Sequence, residues 1–144
     1  VAFGVATVMT NASKGYIADK LTSTPAVYAT TSCVWRWGAI GKGATGAART
    51  AVAGDTALSC EMNNSRTCGT ESTVTTTVTN DTYQNVGTFT ATSASSSGSQ
   101  AVDEAGLFVA TSSGGGGMMA SATFNVVNLS PGDSIQNTWK VTFA

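Results

Sequence analysis

At 144 residues the chain is the size of one domain, long enough to bury a core without metal or disulfide help. Only 10% of it is charged, against roughly 25% in an average globular protein, and a formal net charge of −1 with scattered Lys and Arg offers no field for nucleic acid. The chain contains no histidine, so Ser-His-Asp and Cys-His catalysis and His-based zinc sites are excluded for the chain acting alone.

Taken in order, Val1 to Met9 (VAFGVATVM) is apolar but too short to span a bilayer, and it lacks the basic flank of a signal peptide. It reads as a strand. Asn11 to Thr24 has room for one short helix around Tyr16 to Leu21, and Val27 to Tyr28 and Ser32 to Trp37 read as extended, with Trp35 and Trp37 on one face. The Gly and Ala density of Gly38 to Gly54 predicts a long ordered loop or arm rather than a core strand, with small residues able to lie flat on a partner.

Glu71 to Thr79 is strongly β-branched, Asn80-Asp81 is a turn signal, and Thr82 to Thr92 returns as a strand, so the pair predicts a hairpin with a bulge at Gly87. Ser93 to Ser99 and Ser112 to Gly117 are connectors. Between and after them, Ala101 to Thr111, Met118 to Val127 and Ile135 to Phe143 read as three strands. In the last, Ile135, Trp139, Val141 and Phe143 alternate with Gln136, Thr138, Lys140 and Thr142, the period of a half-buried strand. No stretch keeps a helical period for more than a turn or two. The expectation is an all-β, antiparallel β-sandwich, jelly-roll-like, with about seven to nine strands and a Gly/Ala-rich loop or arm, forming a single domain over 1–144.

The candidate chemistry is sparse. Cys33, Cys60 and Cys68 lack paired CxxC spacing and fall one ligand short of an all-cysteine zinc site, so no metal is expected. Cys60 and Cys68 bracket a short polar loop, which permits either a disulfide in an oxidising compartment or reduced thiols beneath a loop. Gly41 to Gly46 (GKGATG) matches the dinucleotide pattern GxGxxG, but no βαβ unit surrounds it, and no cofactor is expected. Asp103-Glu104 reads as a polar contact at a strand bend. A hydrolytic enzyme would require Asp103, Glu104 or Asp133 to converge in a cleft.

Several motifs occur in a characteristic order: Thr10-Asn11-Ala12-x-Lys14, Trp37-Gly38, Asp55-Thr56-Ala57-Leu58, Thr79-Asn80-Asp81-Thr82-Tyr83-Gln84, Glu104-Ala105-Gly106-Leu107-Phe108 and Gly132-Asp133-Ser134-Ile135. In this order the chain resembles, nearly end to end, small tailed-bacteriophage virion proteins. It departs from their pattern in the insertion around Cys60 to Cys68 and in the glycine run Gly114 to Gly117. The resemblance implies a structural β-sandwich without catalysis, on the outer surface of the capsid as a decoration or cement protein, or else in the tail or fibre. A fibre needs long repeated or coiled segments, which are missing from this sequence. The head is therefore the expectation: a homotrimer bound to the major capsid protein, with no nucleic acid and no membrane as partner. Contacts with capsid or neighbouring copies are expected from Val1, Phe3, Trp35, Arg36, Trp37, Ile40 and Lys42, with core packing as the alternative for Trp35, Trp37 and Trp139. The competing class is a tail-associated binding module that recognises host surface glycan through exposed Trp or Tyr.

Overall fold

A computed structural model describes residues 7–11, 35–42, 50–91, 100–113 and 117–142. The strands are β1 (Thr7–Met9), β2 (Trp37–Gly41), β3 (Glu61–Cys68), β4 (Thr70–Val74), β5 (Thr82–Thr90), β6 (Gln100–Phe108), β7 (Met118–Leu129) and β8 (Ser134–Thr142). They form a five-stranded sheet, β1-β7-β6-β2-β3, and a three-stranded sheet, β4-β5-β8. Every pairing is antiparallel. The architecture is all-β, as a β-sandwich requires. The expected helix near Tyr16 to Leu21, the strand at Val27 to Tyr28, Cys33 and Phe143 lie outside the described residues.

Two clusters fill the space between the sheets. In one, Leu107, Met119 and Ala120 of the larger sheet meet Trp139 of β8, with Trp35, Tyr83 and Val141 against them. In the other, Ile40, Val102 and Leu129 meet Phe89 of β5, flanked by Ile135 and Met62. The alternation seen in the sequence of β8 therefore carries through: Ile135, Trp139 and Val141 face inward, while Gln136, Thr138, Lys140 and Thr142 are exposed.

The larger sheet is covered on its other face as well. Residues 50–60 lie across it, placing Leu58 against Ala39, Phe108 and Met118, with Trp37 at the margin. Ser121 Oγ donates to Asp55 Oδ2 at 2.8 Å, fixing the segment to β7. Burial on both faces is why β6 is inaccessible from Val102 through Phe108.

β2 corrects the expectation of a Gly/Ala arm beginning at Gly38. Trp37 to Gly41 is a central strand, paired to β6 on one side and β3 on the other. Its glycines mark close packing rather than looseness. A Cβ on Gly38 would stand 2.9 Å from the Phe89 ring, and one on Gly41 would stand 2.8 Å from Glu104 Oε1.

The segment bracketed by Cys60 and Cys68 is likewise strand, not loop. β3 bulges where Gly38 pairs with Thr67 but Ile40 pairs with Met62, so four residues oppose Ala39. Cys68 sits opposite Trp37, and Cys60 precedes Glu61, which sits opposite Gly41. The four-residue span of β2 between those positions is about 13 Å, well beyond the reach of a disulfide. Both thiols are free and exposed, which corrects the bridged alternative.

The hairpin of β4 and β5 forms, with Thr70 opposite Val86 and Val74 opposite Thr82. Its connection runs from Thr75 to Asp81, longer than an Asn-Asp turn, with Asn80 left-handed at φ 59°. Gly87 is not a bulge, since β5 keeps one unbroken register with β8 from Thr82 to Thr90.

Candidate contact surface

Trp35, Arg36 and Trp37 lie at the end of the sandwich where the chain enters β2. Trp35 occupies a bend rather than the strand itself, so strict alternation does not extend to it. It packs inward against the Leu107–Trp139 cluster, whereas Trp37 packs on the opposite side of the sheet beside Leu58 and Phe108. The two rings do not share a face. Both are half-buried.

Between them Arg36 turns toward β4. Its Nη2 and Nε atoms donate to Glu71 Oε2 at 2.9 and 3.2 Å, an ion pair that spans the two sheets. The carboxylate beside it raises the Arg36 pKa, first through the hydrogen bond and then through charge. The Tyr83 hydroxyl reaches both the Trp35 carbonyl and, at 3.1 Å, Glu71 Oε1; having one proton, it donates to one of them at a time. Burial, then the neighbouring Glu71 charge, pushes the Tyr83 phenol up. Trp35, Arg36, Glu71 and Tyr83 thus form one polar-aromatic rim with Arg36 outermost.

Lys42 is exposed at the far end of β2, about 17 Å along the strand from Trp37 at the usual rise. The fold therefore does not bring Lys42 into the rim. Ile40 is fully buried between the sheets, so it is core and not a surface contact, because its neighbours Val102, Leu129 and Phe89 surround it. Val1 and Phe3 lie outside the described residues, as does 43–49 of the expected arm.

A second surface was not singled out by sequence reading. Strand register places Thr70 and Ser72 of β4, Gln84, Val86, Thr88 and Thr90 of β5, and Ser134, Gln136, Thr138, Lys140 and Thr142 of β8 on the outer face of the three-stranded sheet. Its polar groups bond across strands: Gln84 Nε2 to Ser72 Oγ at 3.4 Å, Thr90 with Ser134 at 3.0 Å, and Gln136 Nε2 to Thr88 Oγ1 at 3.4 Å. Lys140 is its one charge among the described residues. The period-2 run of Thr and Gln in β5 and β8 was the available signal, but only pairing joins the two rows into a surface.

Two of the carboxylates considered for chemistry, Glu104 and Asp133, are engaged by backbone amides. Glu104, buried on the covered face of the larger sheet, accepts the Cys60 amide at 3.1 Å. Asp133 accepts the Ser130 amide at 2.8 Å, closing the turn before β8. Among the described residues no three His, Cys, Asp or Glu side chains are grouped to hold a metal ion.

Fold and rim together define an all-β protein of two antiparallel sheets, with one weakly charged hydroxyl- and amide-rich face and one polar-aromatic end. Comparison with protein-family models, curated proteins and solved structures finds no match for the chain.

Proposed function

We propose that this chain is a non-enzymatic structural protein of a bacteriophage virion, a capsid decoration protein that binds the outside of the head as a homotrimer and reinforces contacts between major capsid proteins. The ordered motifs from Thr10 to Ile135 support the phage assignment. The geometric observation that carries the role is the outer face of the three-stranded sheet, where a broad polar surface holds a single charge among the described residues. Docking such a face replaces water by neutral hydrogen bonds and avoids the several kcal/mol that desolvating each ion costs. Apolar burial in the same contact contributes ~25 cal/mol per Å², offset by the cost of association. Repetition of a modest contact over a shell makes the lattice hard to dissociate. The Arg36 rim, with Trp35 and Trp37 beside it, supplies a further contact at the sandwich end.

Cryo-electron microscopy of purified particles with icosahedral averaging tests this reading. Density for the sandwich repeated across the capsid lattice is the expected result. Its restriction to the tail overturns the assignment in favour of a tail or fibre domain that binds host glycan.

A further inference from the structure

One edge of the three-stranded sheet is tied to the larger sheet. β4 follows β3 after Gly69, whose amide donates to the Arg36 carbonyl at 2.7 Å, and the Arg36–Glu71 ion pair holds the same edge. The opposite edge is β8. Among the described residues its backbone pairs with β5 on one side and with no strand on the other. Such an edge offers a row of amide and carbonyl groups to any strand that matches it, and proteins blunt it with proline, bulges, charges or very short strands. β8 has little of this protection. It is nine residues long, contains no proline, keeps an unbroken register with β5 from Ser134 to Thr142, and carries one charge, Lys140.

Run antiparallel, β8 is complementary to itself. Pairing all nine residues sets Thr138 opposite Thr138 of a second copy, Ser134 opposite Thr142, Gln136 opposite Lys140, Ile135 opposite Val141 and Asn137 opposite Trp139. Inward-facing residues meet inward-facing ones, and the exposed row meets its own kind. Each Lys140 then faces a neutral amide. Sliding the strands until the two Lys140 residues meet would pair only 138–142 and set like charges face to face. In the full register Ile135 and Val141, each half-buried against the core, cover one another at both ends of the ladder.

We infer that β8 is a homotypic docking edge, at which a second copy of this chain adds its own β8 antiparallel about a two-fold axis. The two three-stranded sheets become one of six strands, β4-β5-β8-β8-β5-β4. Main-chain hydrogen bonds supply the contact, and the alternation of β8 fixes its register. The inference rests on the sheet edge and not on the capsid assignment. In a shell of homotrimers the contact falls between trimers, because a two-fold pair cannot close a ring of three.

Cysteine crosslinking of the isolated chain reads this register. In a background with Cys60 and Cys68 changed to Ser, Thr138→Cys places thiols on directly opposed residues, whose Cα atoms lie about 4.5–5.5 Å apart in an antiparallel ladder, within disulfide reach. Gln136→Cys leaves its two copies about 14 Å apart along the strands. Mild oxidation should convert Thr138→Cys largely to a dimer on a non-reducing gel and leave Gln136→Cys uncrosslinked. Cys33 is common to both, so the contrast between them decides. In sedimentation velocity, Thr138→Glu, which sets two carboxylates face to face, should abolish the association through β8, whereas Ser72→Glu on the exposed face of β4 should retain it. Failure of Thr138→Cys to crosslink, equal crosslinking at both positions, or sedimentation unchanged by Thr138→Glu overturns the docking edge. Should Thr138→Glu fail to fold, the crosslinking contrast decides alone.

Discussion

Arg66 is a charged residue held by several contacts at once. Its Nε and Nη2 atoms donate to the two oxygens of Glu61 at 3.0 and 3.2 Å, and Nη1 donates to the Ala110 carbonyl at 3.1 Å. Its guanidinium lies 3.4 Å from the centre of the Phe108 ring. The arginine side chain is 1% exposed and Glu61 only 9%, so the pair is desolvated and geometrically satisfied. Removing one partner strands the other. Arg66→Ala should destabilise the fold by about 3 kcal/mol, measured by chemical denaturation, whereas Arg36→Ala at the exposed rim pair should leave stability close to that of the parent. Equal losses at the two sites would contradict this ordering. The three extra residues in β3 bring Arg66 to this position, and nothing in the spacing of the sequence announces such a bulge.

At the scale of elements, the loop between β4 and β5 is organised by one carboxylate. Asp81 accepts the Thr76 amide at 2.8 Å, the Thr77 amide at 2.7 Å and the Val78 amide at 2.8 Å, and the Thr76 hydroxyl as well. These bonds, the Val78 amide foremost, hold the Asp81 carboxyl well below its ordinary range. A folded-state pKa below the unfolded value contributes stability that is fully present above about pH 4 and is lost as pH falls toward the folded pKa. The stability gap between the parent and Asp81→Asn should therefore be widest near neutrality and narrow progressively below about pH 4, read from denaturation curves across that range. A gap that does not change with pH would remove the carboxylate from its organising role. The turn before β8 is built by more familiar means: Pro131 followed by Gly132 at φ 91°, with Asp133 capping the Ser130 amide. That Pro-Gly signal was legible in the sequence because a positive φ imposes a local demand on residue type.

For the whole molecule, the positions of Cys60 and Cys68 at opposite ends of β3 predict how the protein responds to thiol reagents. Both should react without denaturant, with no Cys60–Cys68 bridge in a peptide map of the air-exposed protein. A mapped Cys60–Cys68 crosslink would require β3 to come apart from β2. The proposed role makes demands at the same scale. The Arg36 rim meets the three-stranded sheet at β4, where Glu71 stands between Thr70 and Ser72 of the outer face, so the two proposed contacts adjoin.

The sequence alone determined the all-β class, the β4–β5 hairpin and the alternation of β8, because period-two patterning and turn chemistry are local properties written residue by residue. It also placed Ile135, Trp139 and Val141 on one face for the same reason. What only the tertiary structure decided is where small and polar residues went. Gly38 and Gly41 read as an arm until Phe89 and Glu104 were seen to need their missing side chains; Cys60 and Cys68 read as loop ends until β3 paired with β2; Ile40 read as surface until both sheets enclosed it. Trp35 and Trp37 parted because a bend broke the alternation between them. Each of these outcomes depends on which strands become neighbours, and such pairing is set by contacts between residues far apart in the chain, which no local pattern records.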